Sequence, residues 1–157
     1  MSNRTAGRRT AGRLAAALLT AALLACSDGD QPAAAQGRDG RWLVINYWAV
    51  WCAPCREEIP ELNRLAAEQA DRVAVLGVDF DGNTGPALAT ARSKLDIVFA
   101  SADPSLLEAL ALARPVVLPT TYVVDPAGVL RHTLQGPQTY SSLLALMTGE
   151  DAPPAPQ

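Results

Sequence analysis

Asn46-Tyr47-Trp48-Ala49-Val50-Trp51-Cys52-Ala53-Pro54-Cys55 is the stretch on which the reading of this chain turns. A β-rich run ends there in Cys-x-x-Cys, and a helical pattern follows. A thiol at a helix N-terminus faces unpaired backbone N–H groups and the positive end of the helix dipole. Both favour the thiolate, which is the reactive species. The three-residue step puts Cys52 and Cys55 on one helix face, near enough to bond to each other. Pro54 suits the first turn, where its missing N–H would have no partner anyway. The pattern points to electron exchange with disulfides. Cys52, at the helix mouth, is expected to be exposed and to attack a substrate disulfide. Cys55, one turn inside, is expected to resolve the mixed disulfide.

Blander uses of the pair carry less weight. As a staple, a bridge closing about four residues restricts the unfolded chain by only ~2 kcal/mol. A structural zinc site wants four Cys or His ligands. Apart from Cys26, the chain offers Cys52, Cys55 and the single His132, which sits in a predicted strand and reads as a surface residue. No metal or cofactor is therefore expected beyond the dithiol itself. A peroxidase would not need so tight a pair. Soft thiolates select Cu(I), so a copper-handling assembly module stays open, although no Met-rich or His-rich segment accompanies the pair. An oxidase or isomerase also stays open, because direction depends on how far the folded protein stabilises the thiolate.

Working outward, Arg4, Arg8, Arg9 and Arg13 precede an apolar run from Leu14 to Ala25. A basic segment followed by a short apolar one reads as an export signal over residues 1–25, too short for a membrane span. It ends Leu23-Leu24-Ala25-Cys26, which resembles a bacterial lipobox and marks Cys26 as a lipidated first mature residue. Residues 26–41 read as lipid anchor and flexible tether, 42–149 as a folded domain, and 150–157, with three prolines, as a disordered tail. Without the four signal arginines, nine basic residues face sixteen acidic ones, a net near −7. That balance excludes the basic footprint of a nucleic-acid binder. Setting aside Cys26, the three cysteines leave one pair and no disulfide framework.

The domain alternates strands and helices. Strands are predicted over 42–48, 73–80, 97–100, 120–124 and 129–134. Helices are predicted over about 52–69, 86–95, 103–112 and 140–147. Asp125-Pro126-Ala127-Gly128 suits a type I turn between the last two strands. The order implies an α/β fold with a mixed sheet and helices on both faces.

The Cys-x-x-Cys at a strand–helix junction, Glu58 three residues beyond it, Pro119 at a strand start and this element order resemble the thioredoxin fold. Within it they look most like exported TlpA/ResA-type thiol-disulfide reductases, from about Gly40 to Met147. The resemblance implies a cis Pro119 facing the cysteines. Such a proline would leave Leu118 free to pair with an extended substrate segment beside Thr120, and would keep metal off the thiols. It implies that Trp51 and Pro54 help form the substrate rim. Glu58 would tune the thiols and carry a proton to or from Cys55. Asn46 stands where thioredoxins proper have a buried Asp, so an Asp-based relay is absent. The hairpin many relatives carry before the first core strand is replaced here by tether-like sequence. The family also implies a periplasmic monomer fed by a membrane donor of the DsbD or CcdA type, anchored to the bilayer through Cys26. Its substrates would be protein disulfides, as in cytochrome c maturation or copper-site assembly. The cytochrome-dedicated branch usually has Pro-Glu-Thr at the cis proline, where this chain has Pro119-Thr120-Thr121.

Overall fold

The computed structural model describes residues 39–148. The signal over 1–25, the lipidation site Cys26, the tether up to residue 38 and the tail over 150–157 lie outside the described residues.

Strand β1 (Trp42–Trp48) is buried along its whole length. Its residues alternate between two apolar clusters: Trp42, Val44 and Trp48 on one face, Leu43, Ile45 and Tyr47 on the other. A strand covered on both faces has no polar face to show, which is why its sequence is almost continuously apolar. It pairs in parallel with β2 (Val73–Asp79) and antiparallel with β4 (Thr120–Val124). β3 (Ala100–Ser101) and β5 (Leu130–Gln135) complete a mixed sheet of order β3-β2-β1-β4-β5. Helix α1 (Ala53–Glu68) covers the first face with Ile59, Leu62 and Leu65. α2 (Gly85–Ser93) adds Ala91 to it, and α4 (Tyr140–Thr148) adds Leu143 and Met147. α3 (Pro104–Ala109) covers the second face through Leu106. Among the described residues no strand precedes β1, and no helix is long and apolar enough to cross a membrane.

Three local expectations are corrected. The strand predicted over 97–100 shrinks to the two residues of β3. Ile97 and Phe99 are buried, but side chains occupy their backbone groups. Arg92 donates to the carbonyls of Ile97 and Phe99, and Asn63 takes the Asp96 carbonyl and the Val98 N–H. With the backbone so satisfied, no ladder is needed there. The hairpin starts one residue late. Gly128 N–H closes the turn onto the Asp125 carbonyl at 2.9 Å. The pairing then slips, with Val123 opposite His132 but Val124 opposite Leu130, so Arg131 is the extra residue of a bulge. Finally, His132 is half-buried rather than on the surface, and its Nε2 is buried without a hydrogen-bond partner among the described residues.

Candidate active site

The end of β1 sets the site. Cys52 N–H donates to the Ala49 carbonyl at 3.1 Å, turning the chain out of the sheet. Cys52 is the N-cap of α1, with extended backbone, and its Sγ accepts the N–H of Cys55 at 3.2 Å. Pro54 lies in the first turn and is half-buried. That turn carries no acidic residue to offset the helix dipole. Cys52 and Cys55 are joined in a disulfide. The expected exposure of Cys52 is not found: it is 4% exposed and Cys55 0%. The bonded Cys52 sulfur turns inward onto the Cys55 N–H in the first turn of the helix. Both cysteines belong to the first core cluster, with Val50 and Leu118 against it.

A rim surrounds the pair. Trp51 is 61% exposed, and its indole N–H donates to the Asp81 carboxylate at 3.0 and 3.2 Å. The Trp51 ring meets Phe80 edge-on at 6.2 Å. Arg114 lies over the other ring partner, 4.1 Å from the Phe80 centroid, and donates to the Phe80 carbonyl at 2.7 Å. The cysteine loop, the turn after β2 and the segment before Pro119 are thereby tied together. Asp81, Phe80 and Arg114 were not legible as site residues. Asp81 reads only as a turn former, and nothing in the spacing connects Arg114 to Phe80.

The Leu118–Pro119 bond is cis. The Pro119 carbonyl accepts from Gly136 N–H at 3.0 Å, and Thr120 Oγ1 donates to the Val117 carbonyl at 2.8 Å. Among the described residues, the N–H and carbonyl of Leu118 have no hydrogen-bond partner. Beside them Val116 and Val117 are exposed. An unpaired backbone unit on the residue that packs against the cysteines' cluster can accept an extended peptide as an added strand.

Glu58 lies one turn beyond Cys55 on the same side of α1 and is 1% exposed. Its Oε1 accepts from Asn46 Nδ2 at 2.5 Å, and its Oε2 from the backbone N–H of Gln138 at 3.0 Å. Asn46 Nδ2 also donates to Thr121 Oγ1 at 3.0 Å. Burial pushes the Glu58 carboxyl up from its ordinary value to about 7, and the two donors pull back only part of that. Next to it, Glu61 accepts from the Tyr140 N–H at 2.8 Å, and Arg64 lies over the Tyr140 ring. The start of α4 is thus fastened to α1 beside Glu58. Thr121 and Gln138 are further residues missed in the sequence, because their partners lie 75 and 80 positions away. Among the described residues no group of three or more His, Cys, Asp or Glu is placed to hold a metal ion.

Residues 19–133 match the family model described as AhpC/TSA family. The chain is 30% identical over 106 residues to the thiol-disulfide oxidoreductase ResA of Oceanobacillus iheyensis, covering 67% of this chain and 55% of that protein. It is 36% identical over 97 residues to a thiol:disulfide interchange protein DsbE homolog of Paracoccus denitrificans, covering 60% of this chain and 50% of that one. Among solved structures, the thioredoxin-like superfamily protein SPOA0173 superposes with a TM-score of 0.60 at 26% identity, over 83% of this chain and 91% of that one. The fold is therefore thioredoxin-like. The chain spans about half the length of these two curated relatives.

Proposed function

We propose that this chain, which belongs to the AhpC/TSA family, is a thiol-disulfide oxidoreductase that reduces protein disulfides through Cys52 and Cys55. The observation that carries the reading is the disulfide that closes the first turn of α1, in a core cluster against which Leu118 packs with a backbone unit that has no partner among the described residues. In the reduced form the Cys52 thiolate attacks one sulfur of a substrate disulfide. The substrate S–S bond breaks, a mixed disulfide forms, and one substrate thiolate leaves. Cys55 then gives its proton to ionised Glu58 and attacks the Cys52 sulfur. The Cys52–Cys55 disulfide forms and the second substrate thiolate leaves. Two electrons have moved from the dithiol to the substrate, and no resident cofactor takes part.

A substrate segment pairs with Leu118 between Pro119, Thr120 and the Trp51–Pro54 side of the site. The relatives named for disulfide oxidoreduction and interchange support this class of substrate. The oxidised pair must be re-reduced by a donor dithiol, for which a membrane protein of the DsbD or CcdA type is the fitting class. The lipobox-like sequence ending in Cys26 supports a reading in which the enzyme is lipid-anchored on the periplasmic side of a membrane and works as a monomer on its tether. A Cys26→Ser variant should then move from the membrane fraction to the soluble one.

Substituting each cysteine in turn tests the reaction. Cys55→Ser should accumulate a covalent complex with a disulfide-bonded protein substrate, seen on non-reducing gels and released by thiol. Cys52→Ser should form none. Equal trapping by both variants would contradict the assigned roles.

A further inference from the structure

The Asn46 side chain is fully buried, and its two ends are not equally served. Nδ2 has two acceptors, Glu58 Oε1 and Thr121 Oγ1, whereas Oδ1 is buried with no partner among the described residues. A buried carbonyl oxygen left unpaired costs on the order of 1–3 kcal/mol, so its persistence calls for a reason.

The reason lies in where a proton on Glu58 can go. Oε2 faces the main-chain N–H of Gln138, a donor that cannot reverse. A proton on that oxygen would meet another proton. It must therefore sit on Oε1, which faces Asn46 Nδ2, again a donor. A side-chain amide, unlike a main-chain N–H, can reverse by turning half a revolution. The groups bonded to Glu58 are Asn46 of β1 and the Gln138 N–H before α4; Thr121 of β4 is reached through Asn46, and Cys55 lies one turn back on the same helix. Thr121 can follow the turn, because a hydroxyl both donates and accepts.

We propose that Asn46 is a positioning residue that serves both protonation states of Glu58 by turning its amide. With Glu58 ionised, Nδ2 donates to Oε1 and to Thr121 Oγ1, as seen. With Glu58 protonated, Oδ1 takes the place of Nδ2 and accepts from the Glu58 carboxyl and from the Thr121 hydroxyl. The number of hydrogen bonds is the same in both states. Glu58 can then gain and lose a proton without leaving its place one turn beyond Cys55. This inference rests on the reading of Glu58 as proton carrier given above.

The test is a nuclear magnetic resonance titration of the full chain over about pH 5 to 9, a span bracketing the shifted carboxyl. It follows the Glu58 carboxyl carbon and the Asn46 side-chain amide together. The amide protons should shift with the same midpoint as the carboxyl, losing their hydrogen-bonded signature on the acid side. A Glu58→Gln variant gives the second reading. Its Oε1 must face the fixed Gln138 N–H, so its Nε2 faces Asn46, and the amide should show the acid-side signature at every pH. An amide that stays constant while the carboxyl titrates would overturn the inference and leave the proton-carrier reading standing. A carboxyl that does not titrate in this span would overturn both.

Discussion

Glu58 is where one residue sets both the chemistry and its cost. A carboxyl held near 7 rather than 4.5 is stabilising in its protonated form and strained in its ionised form. Relative to the unfolded chain, the folded state binds the proton more tightly. Its contribution is fully present below the ordinary value and is lost as pH rises through about 7. A shift of that size corresponds to roughly 3 kcal/mol, at about 1.36 kcal/mol per unit. Glu58→Gln should therefore make the protein less sensitive to alkaline pH, with a gain in urea stability of up to about 3 kcal/mol above the carboxyl's midpoint. The same variant should flatten the pH dependence of disulfide exchange. An unaltered pH–rate profile would remove Glu58 from the proton path. The Cys52–Cys55 pair was legible in the sequence because its relation is local, set by helical spacing of three, whereas Glu58 was singled out by the family resemblance as much as by its spacing. The Asn46, Thr121 and Gln138 contacts were not, because only the folded sheet brings those segments together. Burial of Cys52 was also misread, since a helix mouth says nothing of what packs over it.

Elements place this cluster, and two of their joints can be tested. The Trp48 indole lies over β2 at Gly77, where an added Cβ would stand 2.8 Å from Trp48 Nε1 and 2.9 Å from Phe99 Cε2. Both are rigid rings in the core, so Gly77→Ala should cost about 1–3 kcal/mol by overpacking. A loss of denaturation midpoint with little change in m-value would show it, and a neutral variant would mean the rings move aside. The second joint is the β4–β5 turn. The buried Asp125 carboxylate accepts from the N–H groups of Ala127 and Val129 and pairs with Arg131 at 2.6 Å. Burial pushes its pKa up, but these donors and the guanidinium outweigh that and hold it below the ordinary value. Its stabilisation is thus present above the ordinary value of 3.8 and is lost as pH falls through the lowered one. Asp125→Ala should cost about 1–3 kcal/mol at neutral pH, by leaving those donors unserved. The deficit should narrow in acid, and a deficit independent of pH would contradict the ionic account. The turn itself was plain in Asp-Pro-Ala-Gly. The bulge at Arg131 was not, because it follows from a carboxylate reaching past the turn. The short β3 was misread for a like reason: the apolar residues are there, but Arg92 and Asn63 take the backbone groups a ladder would use.

At the scale of the molecule, the layered order of strands and helices was legible almost throughout. Each buried face leaves its own period in the sequence, and the continuous apolar run of β1 marks the centre of the sheet. What the pattern does not carry is direction of electron flow. That depends on how much better the fold holds the reduced pair than the oxidised one, a difference spread over the helix terminus, the rim and the buried carboxyl. The central claim is that this chain is a reductant, and the reduction potential of the Cys52–Cys55 pair tests it most directly. Equilibrated against thiol buffers, the pair should come to balance near the value of thioredoxin, about −270 mV. A value near that of DsbA, about −120 mV, would make the protein an oxidant and contradict the account.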